Sequence, residues 1–254
     1  MNARPALARP PLRTPWPATL DAATLSAAAL ADLNHQLSNL SAQQRIAWAL
    51  AHLPGTHALS TSFGVQAVVS LHLFATAAPG LPVIMVDTGY LFPETYRYAD
   101  QLTELLGLQL HVYHARIGNA WMEARLGKLW EAGSDGIARY NQLRKVEPMQ
   151  RALDELGVGC WHAGLRREQS ASRKHIAILE IKKGRFKFHP IADWSDIDIG
   201  AYILQHDLPE HPLLQQGYVS VGDTHTTRPL QPGMDASSTR FFGLRRECGL
   251  HFDL

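Results

Sequence analysis

The run LPVIMVDTG, at residues 81–89, constrains the fold of this chain more than any other feature. It stays apolar without alternation up to Asp87, which is typical of a strand buried on both faces of a parallel sheet. Parallel strands need long crossover connections, and helices usually provide them. The flanking sequence fits, because residues 64–78 are apolar on nearly every side and Pro93 can open a helix that runs to about Leu106. The run therefore predicts a central strand of an α/β protein.

Three further segments have the pattern of strands, at residues 57–63, 108–115 and 159–166, and helical patterns lie at about 119–132 and 139–156. Strands that alternate with helices predict a doubly wound, mostly parallel α/β sheet. From about Gly217 the sequence is polar and has no clear periodicity. We therefore predict an N-terminal tail and extension over 1–40, an α/β domain over 41–216 and a mobile C-terminal arm over 217–254.

Composition excludes several classes of protein. The 254 residues carry a formal net charge of +1, which gives no sign of nucleic-acid binding. Two cysteines predict no structural zinc or iron–sulfur framework, and the thirteen histidines show no HExxH or paired Cys/His spacing, so we expect no metal site. A reducing cytoplasm is the expected compartment. No apolar run approaches the roughly 20 residues of a membrane span. The first twenty residues, rich in arginine and proline and free of acids, are expected to form a mobile tail.

Polar residues and glycines follow three of the predicted strands, at the edge where ligands bind in doubly wound sheets. The first loop, STSFG, places the hydroxyls of Ser60 and Ser62 before Phe63 and Gly64. Hydroxyls, a close backbone and a following helix N-terminus can form an anion cradle, although this loop lacks the lysine of a Walker A motif. A serine-rich helix cap explains the same residues equally well. The other two loops read Asp87-Thr88-Gly89 and Gly164-Leu165-Arg166-Arg167.

Arginines cluster after the fourth predicted strand, in the segment GLRREQSASR. Guanidinium groups bind phosphate or sulfate through paired hydrogen bonds, so Arg166, Arg167 and Arg173 are candidate anion ligands. A solvated charged face paired with Glu168 is the alternative. A later segment, GDTHTTRP, adds hydroxyls and Arg228. The residues alone thus predict an α/β protein that binds a polyanionic small molecule.

Cys248 lies six positions from the end of the chain, in RRECGLHFDL. A thiolate is the nucleophilic form of cysteine, and the neighbouring Arg245 and Arg246 favour it while Glu247 opposes it. A small buried residue is the alternative interpretation, and it suits Cys160, within an apolar strand, better. Cys248 is therefore a candidate nucleophile.

Seven segments resemble, in order, the motifs of the phosphoadenylyl-sulfate (PAPS) reductase family: STSFG, VDTGYLFPETY, RKVEPM, GLRREQSASR, HPIADWSDIDI, GYVSVGDTHTTRP and TRFFGLRRECGLH. The resemblance runs from about Ser60 to His251. The ECGLH motif is highly specific, whereas the SFG loop is shared with ATP pyrophosphatases. The resemblance implies an adenine nucleotide alpha-hydrolase-like fold, in which residues 41–216 bind the nucleotide, and a homodimer.

The resemblance also implies a reaction of assimilatory sulfate reduction. Cys248 is implied to attack the outer sulfur of PAPS, which releases adenosine 3′,5′-bisphosphate and leaves an S-sulfonated cysteine. Reduced thioredoxin, or glutaredoxin, then releases sulfite, and no flavin or nicotinamide is needed. The implied substrate-binding residues are Ser60, Ser62, Phe63, Gly64, Asp87, Thr88, Gly89, Gly164, Arg166, Arg167, Arg228, Arg240, Arg245, Arg246 and His251.

Related reductases that act on adenylyl sulfate (APS) hold a four-iron cluster through two pairs of cysteines. This chain has Tyr140 and Asn141 at the first pair and Asp223 and Thr226 at the second. Because a cluster needs thiolate ligands, the resemblance implies no iron–sulfur cluster and favours PAPS over APS. A cluster-free APS reductase and a non-catalytic nucleotide-binding or redox-sensing protein are the alternatives.

Overall fold

The structure is a computed structural model that describes residues 20–244 and residue 250. Its centre is a six-stranded sheet with the order β3-β2-β1-β4-β6-β5. The strands are β1 (Thr56–Thr61), β2 (Pro82–Asp87), β3 (Gln109–His114), β4 (Val158–Ala163), β5 (Leu179–Lys182) and β6 (Arg185–Phe188).

Helices cover both faces of this sheet. They are α1 (Ala27–Ser38), α2 (Ala42–His52), α3 (Ala67–Ala77), α4 (Pro93–Leu106), α5 (Asn119–Leu126), α6 (Gly133–Asn141), α7 (Glu147–Glu155) and α8 (Asp196–Gln205). A π-helical turn, Gln142–Val146, joins α6 directly to α7. Within the described residues, every helix is too short or too polar to cross a lipid bilayer.

The sheet confirms the predicted fold class. β1 pairs in parallel with β2 and with β4, β2 pairs in parallel with β3, and β4 with β6, while β5 alone is antiparallel to its neighbour. The chain runs outward from β1 to β3 and then returns to place β4 on the other side of β1. The strand order therefore reverses between β1 and β4, which in open α/β sheets marks the crevice where ligands bind.

The four strands predicted from the sequence correspond to β1–β4, with ends that shift by one to three residues. The predicted helix over 119–132 ends early, because Gly127 adopts a positive φ of 70° after α5. The predicted helix over 139–156 is the α6–π–α7 stretch, which begins at Gly133. Periodicity alone did not indicate α1, α2, α8 or the β5–β6 hairpin.

Three apolar clusters hold these layers together. Leu59, Phe74 and Tyr98 belong to a cluster in which side chains of the sheet contact α3 and α4 on one face. On the other face Trp161 packs with Met149 of α7. The third cluster joins α1 and α2 to β4, β5 and β6, and residues of the 20–40 segment contribute to it: Leu20, Leu33 and Leu37. Burial of this apolar surface fixes the sheet edge that carries the candidate site.

The segment 217–244, the described part of the predicted arm, contains only short 3-10 turns and no α-helix or extended strand. An isolated bridge between Leu91 and Asp223 attaches it to the stretch between β2 and α4, and a second bridge, between Thr227 and Arg240, joins two parts of the segment itself. The segment therefore lies against the carboxyl edge of the sheet with defined contacts.

Candidate active site

A buried hydrogen bond from β4 fixes the end of β1, where the first loop begins. Trp161 Nε1 on β4 donates to Ser60 Oγ at 2.7 Å, so the hydroxyl of Ser60 faces the sheet. The Ser62 side chain is exposed, and Phe63 is fully buried with a positive φ of 48°. Phe63 thus turns the chain just before α3, with Ser62 exposed on one side of it and Gly64 half-buried on the other.

The loop after β2 is a tight turn that requires glycine. Gly89 N donates to Asp87 Oδ1 at 2.7 Å, and the Tyr96 hydroxyl donates to the same oxygen at 2.7 Å. Gly89 has a φ of 74°, and a Cβ there would lie 2.6 Å from Asn119 Nδ2. Only glycine satisfies both constraints without strain.

The loop after β4 places its two arginines in different surroundings. Arg166 is 1% exposed and donates to Gln66 Oε1 at 2.5 Å, to Asp196 Oδ1 at 2.6 Å and to the Trp194 carbonyl at 3.0 Å. Arg167 is half-buried and its Nε donates to the Ile176 carbonyl at 2.9 Å. Arg166 therefore links the β4 loop to the start of α3, which brings two of the three loops together.

A buried charge pair joins the arm to the β2 loop. Asp223 is fully buried, with Oδ2 at 2.5 Å from Lys145 Nζ and Oδ1 accepting from Thr88 Oγ1 at 2.6 Å. Burial by itself raises the pKa of Asp223, but the Lys145 ammonium and the hydrogen bonds from Lys145 and Thr88 outweigh it, so the pKa lies below its usual value. Asp223 thus stays ionised inside the protein.

Aromatic rings surround this charge pair. The Lys145 ammonium lies 5.6 Å from the ring centre of Tyr140 and 5.2 Å from that of Phe241. His225 packs against Trp130 at 3.8 Å, and burial lowers its pKa to about 4, so its imidazole is neutral. The four positions compared above with cluster ligands are all buried in this region: Tyr140, Asn141, Asp223 and Thr226.

A second arginine reinforces the same corner. Arg144, on the π-helical turn, donates to the Thr88 carbonyl and to the Ile117 carbonyl, each at 2.6 Å, and to Asn119 Oδ1. It therefore fixes the backbone that presents the β2 turn. The segment RKVEPM resembles a family motif, but no role for Arg144 or Lys145 could be predicted from it. The available signal was two adjacent basic residues within a helical pattern.

An arginine of the arm, Arg240, lies near the β1 loop. Arg240 donates to Ser220 Oγ at 3.0 Å and to the Val221 carbonyl at 3.2 Å. A Cβ on Gly64 would lie 3.9 Å from that same carbonyl oxygen, so this part of the arm borders the β1 loop. Arg228 is exposed, and its Nε donates to the Ser238 carbonyl at 3.0 Å.

The described arm ends in an unusual turn. Phe241, Phe242 and Gly243 have positive φ values of 46°, 57° and 79°, and the Phe241 side chain is fully buried. Four predicted site residues lie outside the described residues: Arg245, Arg246, Cys248 and His251. Leu250, two residues after Cys248, is described and packs against the cluster that contains Trp161.

The structure thus brings together the β1, β2 and β4 loops and the segment 220–240 at the strand-order reversal. Gly164 shares this edge, and a Cβ there would lie 3.1 Å from Ser70 Cβ of α3. Hydroxyls, glycines and arginines at this edge of a parallel sheet are typical of nucleotide-binding α/β enzymes. The fold and the site together indicate that class of protein.

Comparison with known proteins identifies the particular family. The phosphoadenosine phosphosulfate reductase domain matches residues 56–229, more than half of the chain. A phosphoadenosine 5′-phosphosulfate reductase of Sodalis glossinidius is 60% identical over 224 residues, which are 88% of this chain and 92% of the relative. One of Photobacterium profundum is 60% identical and covers 87% of this chain and 88% of the relative. The chain therefore belongs to the phosphoadenosine phosphosulfate reductase family and is an oxidoreductase of sulfate assimilation.

Solved structures agree with this assignment. The phosphate complex of a PAPS reductase from Candida auris has a TM-score of 0.70 and 31% identity, and the match covers 81% of this chain and 98% of that one. A Candida glabrata FMN adenylyltransferase, in complex with FAD and inorganic pyrophosphate, has a TM-score of 0.56 at 13% identity, with 83% and 72% covered. The second likeness supports the fold alone.

Proposed function

We propose that this protein reduces PAPS to sulfite and adenosine 3′,5′-bisphosphate, with reduced thioredoxin as electron donor and Cys248 as nucleophile. The observation that carries the proposal is the 60% identity to a phosphoadenosine 5′-phosphosulfate reductase over 88% of the chain. The loops gathered at the switch between β1 and β4 support it, because they offer hydroxyls, backbone and arginines to an anionic ligand.

The chemistry requires three displacements at sulfur. The Cys248 thiolate attacks the sulfonate sulfur of PAPS; a sulfur–sulfur bond forms and the bond from sulfur to the phosphate oxygen breaks, so adenosine 3′,5′-bisphosphate departs. A thioredoxin thiolate then attacks Cys248 Sγ and expels sulfite. The second thioredoxin thiol resolves the mixed disulfide, so two electrons pass from the dithiol to sulfur and no resident redox cofactor takes part.

The substrate must be held as a polyanion. We assign phosphate binding to Ser62, to Gly64 with the N-terminus of α3, and to Arg167, Arg228 and Arg240 of the described residues. Asp87, Thr88 and Gly89 form the adenosine-side turn. Ser60 and Arg166 position the loops, because each is buried and bonded to protein atoms. Phe63 and Gly164 act through the shape of their turns.

The roles proposed for Arg245, Arg246 and His251 rest on the sequence alone. The guanidinium groups beside Cys248 are expected to favour its thiolate and to orient the sulfonate. His251 supports the tail or assists proton transfer.

The decisive experiment measures sulfite with reduced thioredoxin and each of two nucleotides, PAPS and APS, at equal concentration. We expect sulfite from PAPS and at least roughly tenfold less from APS, because only PAPS offers a 3′-phosphate to the arginines. Equal rates would assign the chain to the cluster-free APS reductases. Sulfite from neither nucleotide would overturn the proposal and favour a binding or sensing role.

The nucleophile is tested separately by intact mass after PAPS is added without thioredoxin. We expect the chain to gain the mass of one SO₃ group, and the gain to be absent in Cys248→Ser. Cys160→Ala is the matched control, because it removes the other thiol of the sequence and leaves the modified one. A mass gain that persists in Cys248→Ser contradicts the assignment.

The remaining expectations concern partners. A dithiol donor of the thioredoxin or glutaredoxin type fits the electron count above, and it operates in a reducing compartment such as the cytoplasm. A homodimer is proposed from the family resemblance. Sedimentation at two protein concentrations tests that state directly.

A further inference from the structure

The sheet holds a group of metal-ligating side chains that the proposed reaction does not use. His57 lies near the start of β1, and Cys160 lies opposite it in register on β4. His162 follows Cys160 by two residues and so shares its face of the sheet. One ligand atom from each of these residues, which we name the His–Cys–His cluster, lies within 4.8 Å of the others.

The hydrogen bonds of His57 determine which of its ring nitrogens carries the proton and which carries the lone pair. His57 Nε2 lies 2.9 Å from the Leu53 carbonyl oxygen, and because a carbonyl only accepts, this nitrogen carries the ring proton. Nδ1 therefore carries the lone pair of the ring, and it accepts a hydrogen bond from His162 Nε2 at 2.9 Å. Donation of the distal N–H to a backbone carbonyl is the usual arrangement of a metal-binding histidine.

His162 is fully buried and incompletely bonded. Its Nε2 meets His57, while its Nδ1 has no hydrogen-bond partner among the described residues. Burial, and then the nearby His57 and His189, hold the pKa of His162 well below its usual value, and burial lowers the pKa of His57.

Two imidazoles and one thiol make a ligand set suited to zinc. At tetrahedral angles, zinc–nitrogen and zinc–sulfur bonds of about 2.0–2.3 Å place ligand atoms roughly 3.3–3.7 Å apart. The two facing nitrogens, now 2.9 Å apart, need to separate by only about 0.4 Å. His57 is half-buried, which gives an ion access from the amino edge of the sheet.

We propose that the His–Cys–His cluster binds one zinc-class divalent ion, through one nitrogen of each histidine and the Cys160 thiolate. A water molecule is the fourth ligand of the ion. Binding releases the thiol proton of Cys160. His57 keeps its proton on Nε2, and the proton of His162 moves from Nε2 to Nδ1, the nitrogen that has no hydrogen-bond partner among the described residues. The site lies at the opposite end of β1 from the loop Ser62–Gly64, so its role is structural, as a link between β1 and β4.

The test uses the full chain, free of purification tags, in a Cys248→Ser background that leaves Cys160 as the one thiol of the sequence. Co²⁺ is titrated as the probe, because thiolate ligation gives a sulfur-to-cobalt charge-transfer absorption and tetrahedral coordination gives strong visible bands. We expect one molar equivalent of Co²⁺, displaced by Zn²⁺. Zn²⁺ is also expected to raise the Tm.

Two variants decide the ligands. Cys160→Ala should abolish the charge-transfer absorption, and His57→Ala should weaken Co²⁺ binding at least roughly tenfold. His57 is half-buried, so this variant keeps the test valid where Cys160→Ala fails to fold. His35→Ala, on the exposed face of α1, is the matched control and should bind like the parent. Absence of the cobalt–thiolate absorption, or binding that His57→Ala leaves unchanged, overturns the proposal.

Discussion

Lys145 Nζ lies 2.5 Å from Asp223 Oδ2, and the two side chains are 9% and 0% exposed. This pair joins the π-helical turn before α7 to the segment that leads toward the C-terminus. Removal of two charges from water is costly, and only close pairing with further hydrogen bonds offsets that cost. Thr88 supplies such a bond to the other carboxylate oxygen. The pair therefore fixes where the arm meets the β2 loop.

Asp223→Asn tests this anchor. The change leaves the Lys145 ammonium buried without its counter-charge, and we expect the free energy of unfolding to fall by about 3–5 kcal/mol. Urea denaturation measures the loss. In the double variant Asp223→Leu/Lys145→Met both charges are gone, so stability should largely return while the rate of PAPS reduction stays low, since the arm has lost its register. Asp223→Asn with unchanged stability would show that the pair is not an anchor.

Gly222→Ala tests how the arm presents Arg240. An added Cβ would come within 2.7 Å of Arg240 Cζ, so the guanidinium must move. Because a side-chain end moves more easily than backbone, we expect a Tm close to that of the parent and a KM for PAPS raised roughly tenfold, which corresponds to about 1.4 kcal/mol of binding free energy. Gly200→Ala, in open space on α8, is the control and should leave KM unchanged. An unchanged KM in Gly222→Ala removes Arg240 from the proposed site.

The four strands β1–β4 and the edge that carries the loops could be predicted from the sequence, because buried parallel strands leave long apolar runs such as residues 81–87. The β5–β6 hairpin was missed since its strands have only four residues each, too few to show a period. The partner of Asp223 was missed for another reason. Lys145 is 78 positions away in sequence, and no local pattern reports a contact that the tertiary fold creates.

The same limit applies to Arg166. Its sequence context predicts that Arg166 binds an anion, and a guanidinium group is suited to that role. In the structure the guanidinium is buried and bonded to Gln66, Asp196 and the Trp194 carbonyl, and the positioning role is proposed on these contacts. Sequence indicates which side chains can bind a phosphate, whereas burial decides which of them face it.

Stability should depend on pH through His225. Burial lowers its pKa to about 4, whereas an unfolded histidine titrates near 6.5. Between about pH 6.5 and 4 the unfolded chain therefore binds a proton that the folded chain excludes, so the His225 contribution is complete above pH 6.5 and falls as the pH decreases. We expect the urea midpoint to drop between pH 7.5 and 5, and to drop less in His225→Gln. Equal drops in the two proteins would contradict a lowered pKa.

Replacement by alanine should lower stability at Arg166 and weaken substrate binding at Arg228. Arg166→Ala removes a 1% exposed guanidinium and its bonds to Gln66 and Asp196, so we expect a loss of about 3 kcal/mol in the free energy of unfolding. Arg228→Ala removes an exposed side chain, so the Tm should hardly change while the KM for PAPS rises roughly tenfold. Thermal unfolding and steady-state kinetics on both variants separate a positioning arginine from one that binds phosphate. A raised KM with full stability in Arg166→Ala would reverse these two roles.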